Sequence, residues 1–284
     1  MIYVLLLLAV TAVWGWTFVL VKDAVSQYPT LPFLQLRFAL ALVVMVLIVH
    51  RLPSRRELRV GAVIGAVLAA GYLTQTAGLT ITSPGNAGLI TGLFVVLTPL
   101  INRLFGAPIH WWTWVATGVS LAGLVLLTGG PSGMNFGDLL VLACAVLFAL
   151  HIVLLGRWSP GSSAARLAMV QIAMCALLFT VGGTWSLRMP SGSVWFAILV
   201  TGLFASAFGY FIQTWAQAHI SANRTALILA TEPAWALVAA VTLAGQRFGP
   251  AQAFGAALVL AAIVGHIGAS LKFEVHDRDR APAS

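Results

Sequence analysis

Gly71-Tyr72-Leu73-Thr74-Gln75-Thr76 returns in this chain as Gly209-Tyr210-Phe211-Ile212-Gln213-Thr214, at a constant spacing of 138 positions. Ser83 and Ser221 follow at the same spacing. Each copy then enters an apolar run interrupted by proline, Pro99 in Leu97-Thr98-Pro99 and Pro233 in Thr231-Glu232-Pro233. The prolines are 134 positions apart, so their registers differ by about one helical turn. A chain that states one pattern twice is expected to consist of two related halves.

The composition says where those halves live. Hydrophobic residues make up 60% of the 284, charged residues only 8%, and the mean hydropathy is +0.99. That much apolar surface does not fit inside one water-soluble core, so the chain belongs in a bilayer. A spanning helix needs about 20 apolar residues, and loop signals divide the chain into runs of that length at 2–21, 31–50, 59–80, 84–104, 109–128, 137–156, 164–184, 193–217, 223–244 and 250–271. A membrane barrel would read as shorter alternating segments. The expected fold class is all-α integral membrane, with ten transmembrane helices.

Five spans in each half is an odd number, which forces the halves into opposite orientations. The expectation is a pair of inverted repeats, residues 1–133 and 134–272, followed by an unordered tail, 273–284; this plan is common among secondary transporters. The first span lacks a basic lead and a small-residue cleavage pattern, so it is read as a retained helix. With the N-terminus cytoplasmic, Arg51, Arg55, Arg56, Arg59, Arg103, Arg157, Arg166, Arg224, Lys272, Arg278 and Arg280 fall inside, and Lys22, Arg188 and Arg247 outside. This bias predicts cytoplasmic termini and explains the net charge of +8 without a nucleic-acid partner. Cys144 and Cys175 both lie in apolar spans, so no disulfide framework is expected.

Polar residues inside the spans mark the candidate site. Tyr210, Gln213, Thr214 and Gln217 stand at i, i+3, i+4 and i+7, one helical face, and Tyr72, Gln75 and Thr76 repeat its first three positions. Such a face avoids lipid: it lines a cavity, or it hydrogen-bonds neighbouring helices. Val10, Trp14, Thr17 and Val21 share a face in the first span, as do Thr91, Phe94, Thr98 and Asn102 in the fourth, and of these Trp14, Thr17, Phe94 and Thr98 are candidates for substrate binding. Pro99 and Pro233 each leave an upstream carbonyl without its helical partner and are hinge candidates, with a packing kink as the alternative. Glu232 is the one acid well inside a span, a costly placement that makes it a candidate for a substrate ammonium or a coupling proton, or else half of a structural pair. His151 and Gln171 are weaker candidates for the same cavity. No His, Cys or Asp spacing suits a metal, and no cofactor motif is present. Small residues at four-residue spacing, Ala253, Ala257, Ala261, Gly265 and Ala269, with Trp114, Gly118 and Ala122, predict close packing of the tenth and fifth helices, or a contact between protomers.

Three stretches carry a family resemblance. They are Trp14-Gly15-Trp16-Thr17-Phe18-Val19-Leu20-Val21-Lys22, the Arg37-bearing Leu31-Pro32-Phe33-Leu34-Gln35-Leu36-Arg37-Phe38, and the sixth span from Gly137-Asp138 to His151-Ile152-Val153. Together with Glu232-Pro233 they resemble EamA-type members of the drug/metabolite transporter superfamily over nearly the whole chain, most of all YddG-type bacterial exporters of aromatic and other amino acids. Many relatives have Gly-Glu after the ninth helix where this chain has Gly245-Gln246. The resemblance implies a bacterial inner-membrane exporter of small metabolites, monomeric or homodimeric, working by alternating access. Other drugs or metabolites are an alternative cargo. A membrane-embedded enzyme would need a catalytic constellation that one deep acid does not supply, and a passive channel is the remaining alternative.

Overall fold

The computed structural model describes residues 2–129, 133–183 and 186–280, and no strand occurs among them. Nine of the described helices are long and apolar enough to cross a membrane, and the apolar stretch Pro250–His266 makes a shorter tenth. They follow the spans read from the sequence: α1 (Ile2–Gln27), α2 (Thr30–Ile48), α3 (Arg55–Leu79), α4 (Pro84–Thr91) with α5 (Phe94–Leu104), α6 (Trp111–Thr128), α7 (Phe136–Trp158) and α8 (Ala164–Gly183). The eighth span comprises α9 (Gly192–Val200), a π-helical segment (Thr201–Phe208) and α10 (Gly209–Gln217). The ninth comprises α11 (Ala222–Leu229) and α12 (Glu232–Thr242), and α13 (Pro250–Arg280) closes the chain.

Local chemistry sets the starts. The side chain of Ser54 accepts from the Glu57 N–H while the Glu57 carboxylate accepts from the Ser54 N–H, a capping box at the head of α3; Asn135 and Asp138 do the same for α7. Ser83 and Ser221, the repeated serines, are the N-caps of α4 and α11.

The fourth and ninth spans are both broken, and both divide into segments of 8 and 11 residues. The interruptions, Gly92–Leu93 and Ala230–Thr231, keep the 138-residue spacing of the opening repeat. The prolines do not mark them. Pro233 lies in the first turn of α12, where its missing N–H has no helical partner to lose, and Pro99 lies inside α5, downstream of the break. The breaks in helical backbone thus lie at the residues that precede each second segment and not at Pro99 or Pro233 themselves. At the C-terminus, helical backbone continues to Arg280, because extending a formed helix adds a hydrogen bond for each residue fixed. Residues 281–284 of the expected tail lie outside the described residues.

Packing between helices relies on missing side chains. A Cβ at Gly88 would stand 2.2 Å from that of Ala236, and one at Gly15 would stand 2.5 Å from that of Trp235, so α1, α4 and α12 cross with their backbones nearly touching. Along α6 and α13, a Cβ at Gly123 would meet the Gly255 carbonyl at 2.8 Å. This seam corrects the small-residue ridge read from the sequence. Ala253, Ala257, Ala261 and Gly265 are exposed, as are Trp114, Gly118 and Ala122, while Gly255, Ala256, Val259, Ala262 and Ile263 are buried. The four-residue spacing picked out a true helical face, but the outward one.

Polar ties close both ends of the bundle. At one, the buried Glu57 carboxylate accepts from Arg166 Nε at 2.9 Å, Arg166 Nη2 at 3.0 Å and the Ser163 N–H at 2.8 Å. At the other, Lys22 Nζ donates to the carbonyls of Leu79 (2.7 Å) and Thr80 (3.2 Å) at the end of α3. Gln246 joins this second end: its Oε1 accepts from the Gly85 N–H at 3.0 Å and its Nε2 donates to Ser83 Oγ at 2.9 Å. A glutamate there could accept but not donate, so the amide suits this particular pair of partners.

Candidate functional site

The core of the bundle holds a narrow cavity. Its free space is about 550 Å³ with the part open to solvent included, and the room wide enough to seat water is only about 40 Å³. Each spanning element near the centre contributes to its wall: Trp14, Thr17, Phe18 and Val21 from α1, Arg37 from α2, and Tyr72, Gln75 and Leu79 from α3. Phe94 comes from α5, Phe148, His151 and Ile152 from α7, Tyr210 and Gln213 from α10, Leu229 from the end of α11 and Glu232 from the start of α12.

The repeated motif meets itself in this wall. Tyr210 Oη donates to Tyr72 Oη at 2.8 Å, and the two rings lie nearly edge to face at 5.9 Å. Trp14 packs against Tyr210 at 5.4 Å and donates its indole N–H to the Ala205 carbonyl in the π-helical segment at 2.8 Å. Phe148 stands edge-on to Tyr72 at 5.5 Å. These rings give the cavity apolar, polarisable faces suited to flat or aliphatic organic groups.

The polar complement divides into satisfied and unsatisfied groups. Gln75 Nε2 donates to Thr91 Oγ1 at 3.3 Å, and Gln213 Nε2 donates to Gln217 Oε1 at 3.0 Å. Gln213 Oε1 is buried without a hydrogen-bond partner. Glu232 is 5% exposed, and its carboxylate has neither a hydrogen bond nor an ion pair among the described residues. Its place in the first turn of α12 helps to hold negative charge, because the N–H groups at a helix N-terminus present a positive end.

Of the fourteen side chains proposed from the sequence, nine line this cavity: Trp14, Thr17, Tyr72, Gln75, Phe94, His151, Tyr210, Gln213 and Glu232. The other five surround it without facing it. Gln171 Oε1 pairs with His151 Nε2 at 2.9 Å and Gln171 Nε2 donates to Thr214 Oγ1 at 3.2 Å, tying α7, α8 and α10 together. Gln217 Nε2 donates to the Ile152 carbonyl at 2.8 Å, and Thr98 Oγ1 to the Phe94 carbonyl at 2.7 Å. Thr76 Oγ1 is buried with no partner. The polar stripe thus serves both purposes, cavity at Tyr210 and Gln213, inter-helix bonding at Thr214 and Gln217.

Arg37 is the functional candidate that the sequence reading passed over. It is 3% exposed, donates from Nε to Ser206 Oγ at 2.9 Å and from Nη2 to Tyr72 Oη at 3.1 Å, and stacks its guanidinium 4.4 Å from the centre of the Tyr72 ring. It has no ion pair among the described residues. The signal was present, since a lone arginine within a span is as costly as a lone glutamate.

Residues from seven of the apolar spans thus wall one cavity in the middle of the bundle. The sequence profile of the EamA-like transporter family matches residues 1–129 and 135–267. The chain belongs to that family. As an EamA-like protein it shares 32% identity with an uncharacterized transporter of Archaeoglobus fulgidus, over 90% of this chain and 82% of that protein. It is 24% identical to the uncharacterized inner membrane transporter YedA of Escherichia coli K12, over 91% of this chain and 88% of YedA. A protein of known crystal structure, 19% identical, superposes on 94% of this EamA-like chain and 98% of its own length with a TM-score of 0.70, which concerns the fold alone. The general role is therefore transport across a membrane.

Proposed function

We propose that this EamA-like protein exports amino acids, aromatic and hydrophobic ones foremost, across a bacterial inner membrane by alternating access between two inverted five-helix repeats, 1–133 and 134–272, with both termini cytoplasmic. One observation carries the reading: a single cavity takes Tyr72 and Gln75 from the first half of the chain and Tyr210 and Gln213 from the second, with Glu232 at its wall. The equal segment lengths of the two broken spans and the two stretches matched by the family profile support the repeat. The name of YedA supports the inner membrane, and the excess of arginine in loops on one side supports the orientation.

In this reading Trp14, Tyr72, Phe94 and Tyr210 receive the side chain of the solute, and Glu232 attracts its ammonium. Loading and release then require the halves to part at one end and reclose. The breaks at Gly92–Leu93 and Ala230–Thr231 are the places where the spans can flex with least loss of hydrogen bonding.

Counterflow of labelled amino acids in liposomes that hold the purified protein tests the proposal. Saturable, protein-dependent exchange supports a carrier, and its dependence on an imposed pH gradient reports proton coupling. Flux that rises linearly with concentration would favour a channel, and exchange confined to non-amino-acid drugs would reassign the cargo.

A further inference from the structure

The two halves match closely around the cavity, except in charge. A Cβ at Gly65 would meet the Gln171 carbonyl at 2.7 Å, and one at Gly202 would meet the Arg37 carbonyl at 3.0 Å, so Gln171 stands against α3 as Arg37 stands against the π-helical segment. Phe94 and Glu232 likewise each open the second segment of a broken span. The cation of one half thus corresponds to a neutral amide in the other, and the acid of one half to a phenyl ring. A two-fold frame alone has no preferred direction, whereas this cavity has one cationic and one anionic wall residue, contributed by different halves.

Neither charge is neutralised by protein. Arg37 uses Nε on Ser206 and Nη2 on Tyr72, which fixes the plane of the guanidinium and leaves Nη1 without a hydrogen bond among the described residues. The Glu232 carboxylate has no partner of either kind there. Keeping a guanidinium and a carboxyl group charged in one cavity without partners is costly, and a ligand that pairs with both removes the cost. A guanidinium held in plane presents parallel N–H groups that match a carboxylate.

We infer, building on the carrier reading above, that the substrate is a zwitterion held at both ends: Arg37 receives the carboxylate and Glu232 the ammonium. Arg37 is then the residue that separates amino acids from the corresponding amines, and Glu232 the one that separates them from the deaminated acids. The aromatic wall accepts the side chain with little discrimination, so selectivity lies in the two ends.

Matched triplets test this on the intact purified protein: phenylalanine, phenethylamine and 3-phenylpropionate, then leucine, isopentylamine and 4-methylpentanoate, each as a competitor of labelled amino-acid counterflow and as a thermal stabiliser in detergent. The parent is expected to bind the zwitterion at least about 10-fold better than either one-charge analogue, since a site built to pair a group rejects the molecule lacking it. Glu232→Gln should shrink the advantage over the carboxylate-only analogue to below about 3-fold and leave the advantage over the amine; Arg37→Gln should do the reverse. Arg37→Lys, which keeps the charge, should recover part of the lost preference and serves if the glutamine variant does not fold. An amine or acid that binds the parent as well as its zwitterion overturns the inference, and so does a uniform loss across a triplet in either variant. If no triplet member binds the parent, the zwitterion site is wrong; counterflow of quaternary ammonium dyes, sugars or nucleosides would then show that the carrier reading survives, and silence across that panel too would remove both.

Discussion

Tyr72 and Tyr210 stand 138 residues apart in the chain and share a hydrogen bond, hydroxyl to hydroxyl, at 2.8 Å. The roles of the two are unequal: Tyr72 Oη also accepts from Arg37, whereas Tyr210 Oη has no other hydrogen bond among the described residues. Tyr72→Phe leaves a buried guanidinium N–H and the Tyr210 hydroxyl unpaired, a loss of about 1–3 kcal/mol, while Tyr210→Phe removes one donor and costs about 0.5–1.5 kcal/mol. Denaturation of both variants in detergent should rank them in that order. Equal losses would show that Arg37 does not depend on Tyr72.

Glu232→Gln separates function from architecture. Because the carboxylate has no protein partner among the described residues, removing its charge orphans nothing, and the melting temperature should stay at or above that of the parent. Transport in liposomes should fall sharply. Breaking a buried ion pair costs about 3–5 kcal/mol, so a large drop in stability would reveal a structural pairing and sink the functional role.

Gly88→Ala should be poorly tolerated although it adds one methyl group, since that methyl would stand 2.2 Å from Ala236 Cβ and backbone must shift to admit it. Overpacking of this kind costs about 1–3 kcal/mol. The matched control is Gly118→Ala, where nothing lies within 4 Å of the added carbon, and its melting temperature and elution profile should match the parent.

The Glu57–Arg166 tie should prove lopsided. Glu57→Ala deprives the Ser54 and Ser163 N–H groups and the guanidinium of an acceptor together, whereas Arg166→Ala leaves the carboxylate its two backbone donors. A loss of about 1–3 kcal/mol is expected for the first and about 0.2–1 kcal/mol for the second, whose side chain is partly exposed. Thermal denaturation of the two variants measures the difference.

The proposed orientation has its own measurement. Leu52 is 91% exposed in the α2–α3 loop and Gly249 is exposed in the loop before α13, at opposite ends of the bundle. Leu52→Cys should resist an impermeant thiol reagent added to intact cells, and Gly249→Cys should react. The opposite pattern would invert the topology.

The path of the chain was legible because it rests on signals that act locally. Apolar runs gave the spans, whereas the caps at Ser54, Ser83, Asn135 and Ser221 emerged only from the structure. The wall of the cavity was legible at Tyr72, Gln75, Tyr210 and Gln213 because the repeat supplied a second reading of each. Arg37 has no charged counterpart in the second half, so the repeat gave it no emphasis, and only the cost of its burial could have raised it. The breaks escaped notice for a different reason. Proline is conspicuous, but the spans part at Gly92–Leu93 and Ala230–Thr231, where partners from other helices decide the backbone's course. The outward ridge of α13 shows the same limit, since small residues at helical spacing define a face and not what lies opposite it.

The crossing of α1, α4 and α12 has a mechanical consequence. Gly15 and Gly88 let three backbones touch, so no side chain can slide aside to let them separate, and drawing them apart would open a void inside a packed core. Rocking about the point of contact costs far less, because the touching atoms stay close while distant ones travel. In the proposed alternating-access cycle the crossing is the fulcrum about which α1, α4 and α12 rock, kept in contact by the absence of two methyl groups.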